Sequence, residues 1–123
     1  SLYRPAVARL EDGMPATGIR LGPVLVGHGR TLVAAGRAAD ARPLLERGLT
    51  LTRRQFGEAD WRTAEARLGL GACLAALGRA DEARLLLQQS RDALGPYRLA
   101  QPDLIRHAER ALTALGPAPG ERS

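Results

Sequence analysis

The stretch Gly69-Leu70-Gly71-Ala72-Cys73 sets a Gly-x-Gly pair two residues before the lone cysteine, and Gly27-His28-Gly29 carries the same pair with a histidine inside it. These residue types offer two chemistries. Glycines at a strand-to-helix turn can cradle a phosphate on bare backbone N–H groups, and a thiol with a lowered pKa can act as a nucleophile or redox group. Both need a setting that is missing here. The flanking leucines and alanines recur at three-and-four spacing, which places Gly27, Gly29, Gly69 and Gly71 inside amphipathic helices rather than at a turn. Glycine there weakens a helix by about 1 kcal/mol but lets a paired helix approach closely. Cys73 falls mid-helix among Leu70, Leu74 and Leu77, with no histidine or basic residue beside it in sequence. It reads as a small buried hydrophobe.

The two histidines, His28 and His107, have no second metal ligand at helical spacing apart from Asp103, four residues before His107. No metal, cofactor or catalytic residue is assigned. His28 reads as a packed helix residue and His107 as a solvated one. Phe56, Trp61 and Tyr97 gather near the turns between helices and read mainly as staples for helix starts, with surface anchoring as the lesser reading.

The rest of the chain must supply the scaffold. With 123 residues, 45% of them hydrophobic and only 3% aromatic, it suits one domain with a core of Leu, Ala and Val. Those residues favour closely packed helices. The net charge is +5 and the isoelectric point about 10.9, which raises nucleic acid as a partner. All 18 basic residues are arginine, however, and neither lysine nor asparagine occurs. That is the mark of a GC-rich coding sequence. Arg53-Arg54 is the only adjacent pair and most other arginines sit near an acid, so the clustered stripe that nucleic acid requires is missing. A single cysteine excludes an intramolecular disulfide. No apolar run approaches the roughly 18 residues of a membrane span, and Ser1 to Leu10 has no signal-peptide core. The expectation is a cytoplasmic protein or a soluble part of a larger one, with no membrane partner.

The sequence is periodic. Shifted by 42 it gives 12 identities over positions 62 to 87, among them Gly27/Gly69, Gly29/Gly71, Leu32/Leu74, Gly36-Arg37-Ala38/Gly78-Arg79-Ala80 and Leu44-Leu45/Leu86-Leu87. Gly36, Gly57 and Gly78 stand 21 apart, Gly95 follows after 17 and Gly116 after another 21. Each closes an Ala/Leu-rich segment where a helix end favours φ > 0. The pattern predicts helices over about Ala16 to Ala35, Ala39 to Gln55, Asp60 to Leu77, Asp81 to Leu94 and Pro102 to Leu115. Asp60 is a fitting N-cap, Pro102 a fitting first residue, and Pro43 is expected near a first turn. In the fourth helix Ala83, Leu86 and Leu87 share the apolar face, leaving Arg84, Gln88 and Arg91 for solvent. Residues 1–15 are expected to hold the last turns of a preceding helix and the Gly13-Met14-Pro15 turn, residues 16–115 the repeat domain, and residues 116–123 a disordered tail.

The series Gly29, Leu32, Gly36, Ala41, Leu45, Gly48-Leu49, and again Gly71, Leu74, Gly78, Ala83, Leu87, resembles the tetratricopeptide repeat. Ser90-Arg91 departs from the small-Leu pair expected at the end of the second unit. The 42-residue spacing looks like the longer, kinesin-light-chain-like variety, and ADARPLLERGLTLTRRQFG is similar to its second helix. WRTAEARLGLGACLAALGRADEARLLL is also similar to the final repeats of arrays attached to bacterial serine/threonine kinases. The sequence has no HRD, DFG or VAIK-type lysine of its own.

The resemblance implies an all-α, right-handed superhelix of antiparallel hairpins, with Pro102 to Leu115 as a capping helix whose outer face carries Arg106, His107, Glu109 and Arg110. The first helix of each unit would line a concave groove. Its stripe runs through Arg20, Pro23, Val26 and Arg30, then Arg62, Glu65, Leu68 and Ala72, then Asp103, Arg106 and Arg110. The implied function is non-catalytic protein–protein interaction, with a peptide or partner helix as ligand. An acidic peptide or the carboxy-terminus of a partner suits the arginines, although clamps that grip a carboxylate in this family use Asn and Lys where Arg30 and Ala72 stand. A regulatory segment of a bacterial kinase or other signalling protein is the alternative, and an arginine-rich helical nucleic-acid binder the weaker one. An open N-terminal end of the stack suggests homodimerisation.

Overall fold

The computed structural model describes residues 20–118 and Gly120. Five helices follow one another: α1 Leu21–Ala34, α2 Ala38–Phe56, α3 Trp61–Ala76, α4 Ala80–Leu94 and α5 Pro102–Leu115, with a 3-10 turn at Gly95–Tyr97 between the last two. The described residues contain no strand. The expected helical segment before α1 and the Gly13-Met14-Pro15 turn lie outside the described residues.

The 42-residue repeat is visible in the helix ends. After α1 the Arg37 N–H donates to the Leu32 carbonyl at 2.8 Å and the Gly36 N–H to Val33 at 3.0 Å; after α3 Arg79 donates to Leu74 at 2.8 Å and Gly78 to Ala75 at 3.1 Å. Such a pair of bonds needs a left-handed residue at the turn, and Gly36 and Gly78 provide it at φ +79° and +81°. Gly57 and Gly116 also have positive φ, but Gly95 does not. Its φ of −49° carries the backbone onward into the 3-10 turn, where Pro96 holds the bend. Asp60 caps α3 by accepting the Arg62 N–H at 2.8 Å. Pro43 is the sixth residue of α2, one residue deeper than expected. Pro43 and Ala39 are both exposed, which lets water satisfy the Ala39 carbonyl that loses its helical donor.

α1 pairs with α2 and α3 with α4; α1, α3 and α5 stack as one layer, with α2 and α4 behind. The seams are closed by glycine. A Cβ built on Gly29 would lie 2.5 Å from Leu45 Cγ, and one on Gly71 would lie 2.9 Å from Leu87 Cγ, the same contact one repeat later. Leu45, Leu68, Leu87 and Leu94 are fully buried. The three buried hydroxyls among the described residues each find a carbonyl: Ser90 donates to Ala64 at 2.8 Å, Thr63 to Gly57 at 2.7 Å and Thr52 to Leu49 at 3.1 Å. Arg84, expected in solvent, instead donates to the Gly116 carbonyl at 2.7 Å and to Pro117 at 3.5 Å. That holds the segment just after α5 against α4, at the start of the stretch expected as a disordered tail. Pro119 and residues 121–123 lie outside the described residues.

Candidate interaction cleft

The layer of α1, α3 and α5 bears a cleft of about 400 Å³. Val33 and Ala34 of α1 with Leu68, Gly69 and Ala72 of α3 make its walls apolar, and Gly27, Arg30, Thr31 and His107 complete it. Gly69 explains how Arg30 comes to span it. A Cβ there would stand 2.9 Å from Arg30 Cγ, so the missing side chain lets the arginine stem lie against α3. The guanidinium then pairs with Glu65 through one Nη and meets His107 Nδ1 at 2.9 Å through the other.

Arginine has donors only. The Arg30–His107 bond therefore requires a lone pair on Nδ1, which makes the ring neutral with its proton on Nε2. Partial burial holds the His107 pKa below the usual histidine value, and the Arg30 and Arg110 guanidiniums lower it further. Arg110 has no ion-pair partner among the described residues.

The residues expected to line one groove fall into four places. Arg30 and Glu65 meet in the cleft. Val26 and Leu68, expected on the same stripe, are 2% and 0% exposed: Val26 packs against the Gly48 backbone of α2, whereas Leu68 lines the cleft at its buried floor. A stripe followed at three-and-four spacing drifts around the helix, and Val26 has turned toward the outer layer. Arg20 and Arg62 form a separate cluster at the α2–α3 corner. They lie over the Phe56 ring at 5.1 and 4.4 Å, Arg62 also lies 4.9 Å from the Trp61 ring centre, and Asp60 holds Arg62 at 3.1 Å. Arg106 pairs with Asp103 on a different side of α5, beside a hollow of about 280 Å³ lined by Arg98, Ile105 and Glu109.

Two histidine expectations change. His28 is exposed rather than packed. His107 is exposed too, but it faces Arg30 across the cleft instead of belonging to the outer face of a cap. Its position one residue before buried Ala108 puts it at the edge of the apolar stripe. A partner 77 residues away in sequence leaves no local signal.

The groups that first suggested chemistry stand otherwise. Cys73 is fully buried, donates to the Ala38 carbonyl at 3.1 Å, and has its thiol pKa pushed up by burial. No group of three or more His, Cys, Asp or Glu among the described residues could hold a metal ion. Gly29, Gly69 and Gly71 are packed against side chains, whereas a Cβ at Gly27 would meet nothing within 4 Å. Gly27 opens the cleft and closes no seam. No described helix is long and apolar enough to cross a membrane.

The family described as tetratricopeptide repeat matches this protein over residues 21–95, from the start of α1 to the first residue after α4. No curated protein and no solved structure matches it.

Proposed function

Because the chain belongs to the tetratricopeptide repeat family, whose repeats generally mediate protein–protein interaction, we propose that its α1–α3–α5 cleft is a non-catalytic docking site for an acidic, partly apolar peptide or partner helix. The charge distribution of the cleft carries this reading. Two guanidiniums, Arg30 and Arg110, act on His107, and a single carboxylate, Glu65, opposes them. The walls between them are apolar. A ligand leucine would gain about 25 cal/mol for each Å² it buries there, and a ligand carboxylate would find the planar donor fork that suits it. Arg20 and Arg62 lie farther along the same layer and extend the positive field toward the α2–α3 corner. The 42-residue period supports placing the protein in the kinesin-light-chain-like variety.

The test uses a labelled acetyl-Leu-Glu-Leu-Glu-Leu-amide peptide and its Gln-substituted counterpart in fluorescence anisotropy. The Glu peptide should bind in low salt, weaken as salt rises, and lose about tenfold in affinity with Arg30→Glu, while the Gln peptide binds poorly. Equal binding of both peptides would remove the acidic part of the reading. A partner list unchanged in pull-downs by charge reversal of Arg20, Arg30 and Arg62 would remove the cleft itself.

Exposed apolar surface on α1 supports a second association. Val24 on α1 is 56% exposed, and a second copy docking there would appear as a concentration-dependent dimer by light scattering.

A further inference from the structure

We propose that His107 makes recognition in this cleft proton-linked: a ligand carboxylate seated against Arg30 and Arg110 draws a proton onto the imidazole, so acidic ligands bind more tightly as pH falls toward 6. The inference rests on the docking reading above and adds its regulation.

Three helices place charged groups around the ring. From α1 comes Arg30, whose Nη2 stands 2.9 Å from Nδ1. From α3 comes Glu65, which engages the other Nη of the same guanidinium. On α5 itself Arg110 lies one turn beyond His107, and Asp103, one turn before it, is taken by Arg106. The free cleft therefore surrounds the imidazole with two cations, and the Glu65 carboxylate is already committed to Arg30. A proton on Nδ1 would also set one donor against another and break the Arg30 contact. Burial and both guanidiniums accordingly hold the ring's pKa below its ordinary 6.5.

A bound carboxylate reverses each of these conditions. It supplies a negative charge within contact distance, which favours the imidazolium, and it gives an Nδ1–H an acceptor in place of a donor. Arg30 keeps Glu65 while its second Nη turns to the ligand. The only species transferred is a proton, taken from solvent onto Nδ1. The sign follows from linkage. The bound-state pKa lies above the free-state pKa, so affinity is weakest above the former, rises as pH falls through it, and levels off below the latter. A difference of one pKa unit corresponds to tenfold in affinity between those limits.

The experiment titrates the wild-type protein and His107→Gln with the acetyl-Leu-Glu-Leu-Glu-Leu-amide peptide between pH 5.5 and 8, by calorimetry in buffers of different ionisation enthalpy. The imidazole resonances of His107 are followed by NMR with His28 as an internal control. The peptide's glutamates stay ionised over this range. We expect net proton uptake on binding, a His107 pKa raised by about one unit in the complex, binding several-fold tighter at pH 5.5 than at pH 8 but short of the roughly tenfold limit of a one-unit shift, and an affinity nearly independent of pH in the Gln variant. Binding with no proton uptake, or a pH dependence that survives in His107→Gln, would overturn the proposal while leaving the docking site standing. Absence of binding at every pH would overturn the docking reading and this inference with it.

Discussion

Gly29 is the socket for Leu45: a Cβ at the glycine would come within 2.5 Å of the leucine Cγ, and Leu45 is wholly buried, with no room to withdraw. Gly71 and Leu87 repeat the relationship one unit later. Replacing Gly29 with Ala gains about 1 kcal/mol of helix propensity but overpacks a closed seam, at a cost of about 1–3 kcal/mol. Gly29→Ala and Gly71→Ala should each lower the stability measured by urea unfolding, whereas Gly27→Ala should raise it by about 0.5–1 kcal/mol. Destabilisation by Gly27→Ala would mean that the cleft wall is closed by something at that position.

That contrast marks how far the sequence can be read. The 42-residue repeat marks Gly29 and Gly71 as points of close helix approach, and Gly36 and Gly78 as helix ends, because those features lie within one hairpin and recur at fixed spacing. Gly27 and Gly69 match equally well in sequence, yet they differ in the fold. Gly69 receives the Arg30 stem from α1, its neighbour in the layer, and Gly27 has no such neighbour among the described residues. Spacing misplaces Val26 for a related reason: α1 uses one side for the outer layer and the adjacent side for the cleft, and hydrophobicity alone does not separate them. The role of His107 is hidden in the sequence because its partner comes from a different repeat.

Asp60 has two roles that conservative substitution separates. It caps α3 through the Arg62 N–H and holds the Arg62 side chain over Phe56 and Trp61. Asp60→Ala should cost about 1–2 kcal/mol. Asp60→Asn keeps the cap and should cost much less, while both variants shift the emission of Trp61, the only tryptophan, by freeing the guanidinium stacked on it.

Cys73 should behave as a core atom. Its thiol is buried and its pKa raised, so a thiol-reactive probe at pH 8 should label the native protein only through unfolding, with a rate that rises with denaturant along the unfolding transition. Rapid labelling of the folded protein would contradict the packing assigned to it.

Stability should carry the signature of His107. Its folded-state pKa lies below the unfolded value, so the unfolded state binds more protons in between. The associated stability is fully present above about pH 6.5 and is lost as pH falls through the folded-state pKa. Thermal melts across this window should show a larger acid-side decline in the wild type than in His107→Gln. An identical decline would assign the effect to other groups.

The central claim is that ligands dock where α1, α3 and α5 meet, and NMR titration of the ¹⁵N-labelled protein with the Leu-Glu peptide tests it most directly. Gly27, Thr31, Gly69 and Ala72 should show the largest amide shifts, saturating together, while Leu99, 95% exposed on the α4–α5 connection, and Arg106 beside the other hollow stay in place. Saturable shifts confined to the Arg98–Arg106 side, with the cleft amides unmoved, would contradict the claim.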